Sequence, residues 1–193
     1  SVRTTINNNH SYTDGGGVYE SGPANYTNVT IVDNQANGRG GGMLLENDAA
    51  TVVSIAASTI VQNAADVIDS TPDAIGGGVY VGGTSVDLAI TGSILAANFI
   101  GTGEGVTNND CHEPSSNGDS FIYSLLGTTT DCSFATTTNS VLNGNGSYLA
   151  TAILADNGGA VQTLDVWSTD TKDVIPEVSC VDAEGAALTE DAR

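Results

Sequence analysis

Thr30-Ile31-Val32-Asp33-Asn34 and, after five intervening residues, Gly40-Gly41-Gly42-Met43-Leu44-Leu45 decide how this chain is read. Both phrases recur. Thr5-Ile6-Asn7-Asn8-Asn9 precedes Gly15-Gly16-Gly17-Val18-Tyr19, and Thr59-Ile60-Val61-Gln62-Asn63 precedes Gly76-Gly77-Gly78-Val79-Tyr80-Val81. A fourth copy of the first phrase is Ser93-Ile94-Leu95-Ala96-Ala97-Asn98. The closing asparagines are 25, 29 and 35 residues apart, so the phrases hold while the period drifts. Units this short cannot bury an apolar face alone and must stack on their neighbours, and insertions between strands leave such stacking intact.

The apolar runs between the phrases, Thr51 to Ile60 and Ser85 to Leu95, lack a 3.6-residue period and suit short strands buried on one side. The expectation is therefore an all-β, right-handed parallel β-helix, a solenoid with turns of roughly 25 residues or more. It forms one domain over 1–193, with regular turns in 1–100 and irregular, loop-rich ones in 101–193. Asn9, Asn34, Asn63 and Asn98 should lie one above another, buried, each amide bonding the next in a ladder. Gly15, Gly16, Gly17, Gly40, Gly41, Gly42, Gly76, Gly77 and Gly78 should form the corners, supplying positive φ and room for the neighbouring layers.

Composition agrees with such a fold and removes several functions. The 193 residues include 24 Gly and 44 Val, Ile, Leu and Phe, which favours many turns and a modest core over helices. Four Lys and Arg stand against 23 Asp and Glu, a net charge of −19. Arg3, Arg39, Lys172 and Arg193 are scattered and cannot form a phosphate-binding patch, so nucleic acid is excluded as a partner. No apolar run reaches the roughly 20 residues of a membrane span, and the charge disfavours anionic lipid.

Cys111 and Cys132 bracket a loop-rich excursion, and a disulfide between them would staple it to the stack, by chain-entropy reasoning contributing about 3 kcal/mol. That pairing implies an oxidising, exported location. Zinc is disfavoured because the cysteines and His112 lack paired metal-ligand spacing. Cys180, beside Val181, reads as a buried apolar residue.

At this level the chain resembles bacterial right-handed β-helix surface proteins of the choice-of-anchor or polymorphic outer-membrane-like repeat type. The matching residues are Ser93 to Asn98, Asp110-Cys111, Leu125 to Gly127, Cys132 and, most specifically, Leu154-Ala155-Asp156-Asn157-Gly158-Gly159-Ala160-Val161-Gln162-Thr163. Thr189 to Arg193 is similar to a closing phrase of that family, whereas Val174 to Cys180 departs from its pattern. The resemblance implies an exported, non-catalytic surface protein, part of a longer chain, and brings no catalytic residues with it. Because the chain starts and stops inside repeat phrases, a processed fragment or a subunit with ends covered by neighbours is expected, and uncovered strand edges would favour a head-to-tail filament.

The residues themselves offer little for catalysis. Arg3, Arg39 and Lys172 sit in unrelated contexts, Arg39 in a Gly38–Gly40 turn where a solvated side chain is expected, and His10 and His112 have no evident partner. Paired acids for glycoside cleavage are not aligned, since Asp33 falls opposite Gln62 and Ala96. No cofactor is expected. Asp14, Asp33, Asp66, Asp69 and Asp73 are weak calcium candidates, without a calcium-loop pattern. The row Thr5, Thr30 and Thr59, broken by Ser93, raises an ice-binding face as a minor reading. The expectation is a structural or adhesive protein at the cell surface or outside the cell, its partners copies of itself, other surface proteins or glycans. The alternative is a carbohydrate-binding or carbohydrate-cleaving protein.

Overall fold

The computed structural model describes residues 4–47, 49–68, 75–82, 85–102, 106–114, 118–140, 142, 182, 186 and 187. The described residues form strands and turns and no helix. A first tier consists of β1 (Thr4–Asn7), β2 (His10–Ser11), β3 (Val18–Glu20) and β4 (Ala24–Thr27). A second comprises β5 (Val29–Val32), β6 (Gln35–Ala36), β7 (Met43–Glu46) and β8 (Thr51–Ala56). The third is β9 (Thr59–Val61), β10 (Ala64–Ala65), β11 (Val79–Gly82) and β12 (Val86–Thr91). The fourth holds β13 (Ile94–Ala96), β14 (Phe99–Ile100), β15 (Thr107–Asn108), β16 (Cys111–His112) and β17 (Ser120–Ile122), and β18 (Leu125–Leu126) and β19 (Thr136–Thr138) lie beyond it.

Equivalent strands pair across tiers into four sheets, ordered β1-β5-β9-β13-β18, β2-β6-β10-β14-β15, β3-β7-β11-β16 and β4-β8-β12-β17-β19. Register follows the repeated phrases. Ile6 pairs with Ile31, Ile31 with Ile60, Ile60 with Leu95 and Leu95 with Leu126. Val18, Met43, Val79 and Cys111 make a second column, and Tyr26, Ile55, Ile90 and Phe121 a third. These columns converge on one core in which Ile31, Met43, Ile55, Ile60, Val79 and Ile90 are all buried. Burying each such side chain contributes about 1.5–3 kcal/mol. A one-residue slip would turn every column outward, so register is strongly fixed.

The expected right-handed β-helix is corrected by this arrangement. The strands make four separate, mostly parallel sheets, β15 runs antiparallel to β14, and no closed solenoid is formed by the described residues. Recurring phrases dictate which strands lie side by side in a sheet. They do not dictate that the sheets close on one another, which depends on corner and loop packing that differs at every tier. One register is also corrected: Ile94, not Ser93, lies opposite Thr59. Ala96-Ala97-Asn98 then matches Val61-Gln62-Asn63, because the fourth phrase is one residue longer only at its start.

Candidate functional site

Two polar columns run through the stack at the ends of the first sheet. In the first, the backbone N–H and Nδ2 of Asn9 both donate to Asn34 Oδ1, at 3.1 and 2.9 Å. Asn34 donates in the same manner to Asn63 Oδ1 at 3.0 and 3.0 Å, and Asn63 to Asn98 Oδ1 at 3.0 and 2.9 Å. Each Nδ2 also donates to a carbonyl in the tier before, from Asn34 to Ile6, from Asn63 to Ile31 and from Asn98 to Ile60. Asn34, Asn63 and Asn98 are fully buried. Asn9 is exposed, against expectation, since no earlier described tier covers it.

The column does not end at Asn98. Asn98 donates through its backbone N–H and Nδ2 to Asp110 Oδ1 at 2.9 and 3.0 Å, and Thr128 N–H donates to Asp110 Oδ2 at 2.7 Å. Continuing the β18 register places Thr129 where the next asparagine would stand, so Asp110 reaches across from its own tier to fill that slot. An ionised carboxylate only accepts hydrogen bonds, which suits the end of a column whose every other member donates onward. Burial nevertheless pushes the Asp110 carboxyl up to about 6, with the hydrogen bonds from Asn98 and Thr128 holding it back.

The second column is of serines and was missed in the sequence. Ser58 N–H donates to Ser93 Oγ at 3.0 Å, Ser93 N–H to Ser124 Oγ at 3.0 Å, and Ser124 N–H to Ser140 Oγ at 3.1 Å. The available signal was a Ser immediately before the opening of each first-sheet strand: Ser58-Thr59-Ile60, Ser93-Ile94-Leu95 and Ser124-Leu125-Leu126. In both columns the preceding residue is left-handed: Asn8, Asp33, Gln62 and Ala97 before the asparagines, and Ala57, Gly92, Tyr123 and Asn139 before the serines. Such a turn points the next side chain along the stack toward its equivalent.

The glycine triplets divide two tasks. Gly15, Gly40 and Gly76 have φ of 69, 67 and 73°. Gly42, by contrast, is needed for space: a Cβ there would meet Asn63 Nδ2 at 3.0 Å as well as the Gly78 carbonyl oxygen, so the triplet makes room for the ladder. Cys111 and Cys132 form a disulfide, Cα to Cα 5.4 Å, joining β16 to the segment paired beside it.

The remaining candidates are dispersed. Asp14 accepts from the Arg39 backbone N–H and from Arg39 Nη2, both at 2.7 Å, so Arg39 is paired rather than merely solvated. Burial raises the Asp14 carboxyl, but the Arg39 contacts outweigh it and hold Asp14 below the usual carboxylate range. The Arg39 guanidinium also lies over the Tyr80 ring, 4.9 Å from its centre, and His112 stacks on Tyr80 at 4.9 Å. His10 Nε2 lies 2.8 Å from Asn37 Oδ1. Asp33 occupies an exposed left-handed corner, where partial burial raises its carboxyl, and Asp66 donates its backbone N–H to the Gly38 carbonyl. Asp69, Asp73, Cys180 and Leu154 to Thr163 lie outside the described residues. Among the described residues no three His, Cys, Asp or Glu side chains gather as metal ligands. Thr30 and Thr59 are buried, which removes the ice-binding reading of their row.

No protein family, no curated protein and no solved structure matches this chain. What the geometry defines is an all-β scaffold of stacked, mostly parallel strands whose buried asparagines and serines bond one another from tier to tier.

Proposed function

We propose that this chain is a non-catalytic structural or adhesive component of the cell surface or extracellular space. One observation carries the reading: the uninterrupted donor-to-acceptor column from Asn9 through Asn34, Asn63 and Asn98 to Asp110, where Thr128 donates from the other side. A buried amide column is costly to break and gives a stiff support from which variable loops project, which is the requirement for a surface that binds rather than reacts. The Cys111–Cys132 disulfide is compatible with an extracellular location. The likeness of Ser93 to Asn98 and of Asp110-Cys111 to phrases of bacterial choice-of-anchor surface proteins points the same way.

The test images the native protein on its cells with labelled antibody and screens the purified chain against acidic and neutral polysaccharides. Surface labelling, with retention on a cell or glycan surface and no released sugar, is expected. Depolymerisation of any polysaccharide at enzyme-like catalytic turnover overturns the proposal in favour of a carbohydrate-cleaving protein. Light scattering over a wide concentration range reports whether copies associate end to end.

A further inference from the structure

The far end of the stack is closed differently from the tiers before it. In the column Tyr26, Ile55, Ile90 and Phe121 each strand supplies a large apolar side chain, but β19 continues it with Thr137, which is exposed. Thr136 and Thr138 are exposed as well, so β19 pairs with β17 without an apolar face of its own. Phe134 packs on Phe121 in place of such a face, the ring centres 4.9 Å apart. Across residues 128–140, Cys132 and Phe134 are the two side chains packed against the core, and both are only partly buried.

Hydrogen bonds make up most of the remaining attachment. Glu113 N–H donates to the Asp131 carbonyl at 2.8 Å, and Asn109 Nδ2 to Asp131 Oδ2 at 3.0 Å. Thr136 N–H donates to the Asp119 carbonyl at 3.2 Å, Tyr123 N–H to the Thr138 carbonyl at 3.0 Å, and Ser124 N–H to Ser140 Oγ at 3.1 Å. At an exposed edge such bonds exchange for bonds to water at little net cost. The covalent link is the exception. It ties Cys111, fully buried in β16, to the partly exposed Cys132, 21 residues on, and so limits how far 128–140 can separate from the tier beneath.

We propose that residues 128–140 form a redox-released strap: with Cys111 and Cys132 joined it closes the end of the core over Phe121, and reduction lets it open while the tiers before it stay folded. The exposed sulfur decides where reduction begins. A thiolate of a dithiol reductant attacks Cys132 Sγ, the bond to Cys111 breaks, and its electron pair leaves on Cys111 Sγ, which takes up a proton. The reductant's second thiolate then displaces Cys132, which leaves as a thiolate and is protonated, and the reductant departs as its own disulfide. The strap now holds by Phe134 and edge hydrogen bonds alone, whereas Ile31, Ile55, Ile60 and Ile90 remain fully buried in the tiers above. Opening uncovers Phe121, an apolar end that stays covered only in oxidising surroundings. This device goes beyond the surface role proposed above and does not depend on it.

The experiment follows amide hydrogen exchange of the full chain by mass spectrometry, with and without dithiothreitol. Peptides covering 120–126 and 134–140 should exchange roughly tenfold faster or more on reduction, while those covering 29–34 and 59–64 change by less than about twofold. Phe134→Ala, which removes the remaining apolar anchor, should exchange faster than wild type in the strap once reduced. Cys180→Ser should keep the wild-type response, since the strap is tied by Cys111 and Cys132. Unchanged exchange at 120–126 and 134–140 on reduction overturns the strap. Equal acceleration at 29–34 and 59–64 also overturns it, because the whole stack would then be opening. A response lost in Cys180→Ser does so too, by assigning it to the third cysteine. The wild-type comparison stands even if a variant does not fold.

Discussion

The asparagine column and the Asp110 carboxyl at its end are two answers to one difficulty, a polar side chain buried between stacked strands. In the column each amide both donates and accepts, so Asn34, Asn63 and Asn98 satisfy one another with no dependence on pH. Asp110 has only acceptors unless a proton is added, and burial pushes its carboxyl up to about 6, so its contribution depends on the solution. An amide ladder propagates through identical tiers; a carboxyl terminates it. Asp110 illustrates the second rule within the first column, receiving from Asn98 and Thr128 and passing nothing on.

The contrast breaks most severely at the middle of the ladder. Asn63→Leu leaves Asn34 without its Oδ1 acceptor and the Ile31 carbonyl without its side-chain donor, and should cost about 3–5 kcal/mol from two or more orphaned groups. Asn9→Leu, at the exposed end, should cost under about 1 kcal/mol. Urea unfolding of the two variants checks both, and equal losses would mean that the ladder is not cooperative. Replacing Cys111 and Cys132 by alanine should cost about 3 kcal/mol, from the 21-residue loop released in the unfolded chain. Unfolding with and without reductant reads this directly, and reductant should not affect the double variant.

Asp110→Asn tests the terminus. Either orientation of the new amide sets an N–H donor against Asn98 or Thr128, at a cost of about 1–3 kcal/mol. The same substitution should flatten part of the pH profile. With its carboxyl raised from 3.8 to about 6, Asp110 favours the fold most below pH 4, and that advantage is lost as pH rises from 4 through 6. A wild-type midpoint that increases steadily from pH 4 to 7 contradicts this. The smallest effect belongs to the corners. Ala97 holds φ of 55° ahead of Asn98, and Ala97→Gly should gain up to about 1 kcal/mol by removing left-handed strain, less the added freedom of the unfolded chain. Calorimetry resolves a change of that size.

Much of this was written in the spacing of Asn34, Asn63 and Asn98, because a residue type that recurs at the end of the same apolar phrase must sit at the same point of each tier. The serine column was equally periodic, but a Ser in a Ser- and Thr-rich chain stands out less than an Asn after an apolar run. Asp110 was legible only as the neighbour of Cys111, since nothing local says that its side chain crosses into the next tier. Glu113 and Asp119 lie outside the repeat phrases, and nothing in their spacing marks them as buried.

The order of residues alone settled which strands are neighbours, because stacked repeats have only one register that keeps Ile31 on Ile60 and Asn34 on Asn63. Only the tertiary structure decided that the strands form four separate sheets and that an aspartate ends the asparagine column. Those outcomes depend on distances between segments of different loop length, which short-range patterns do not encode.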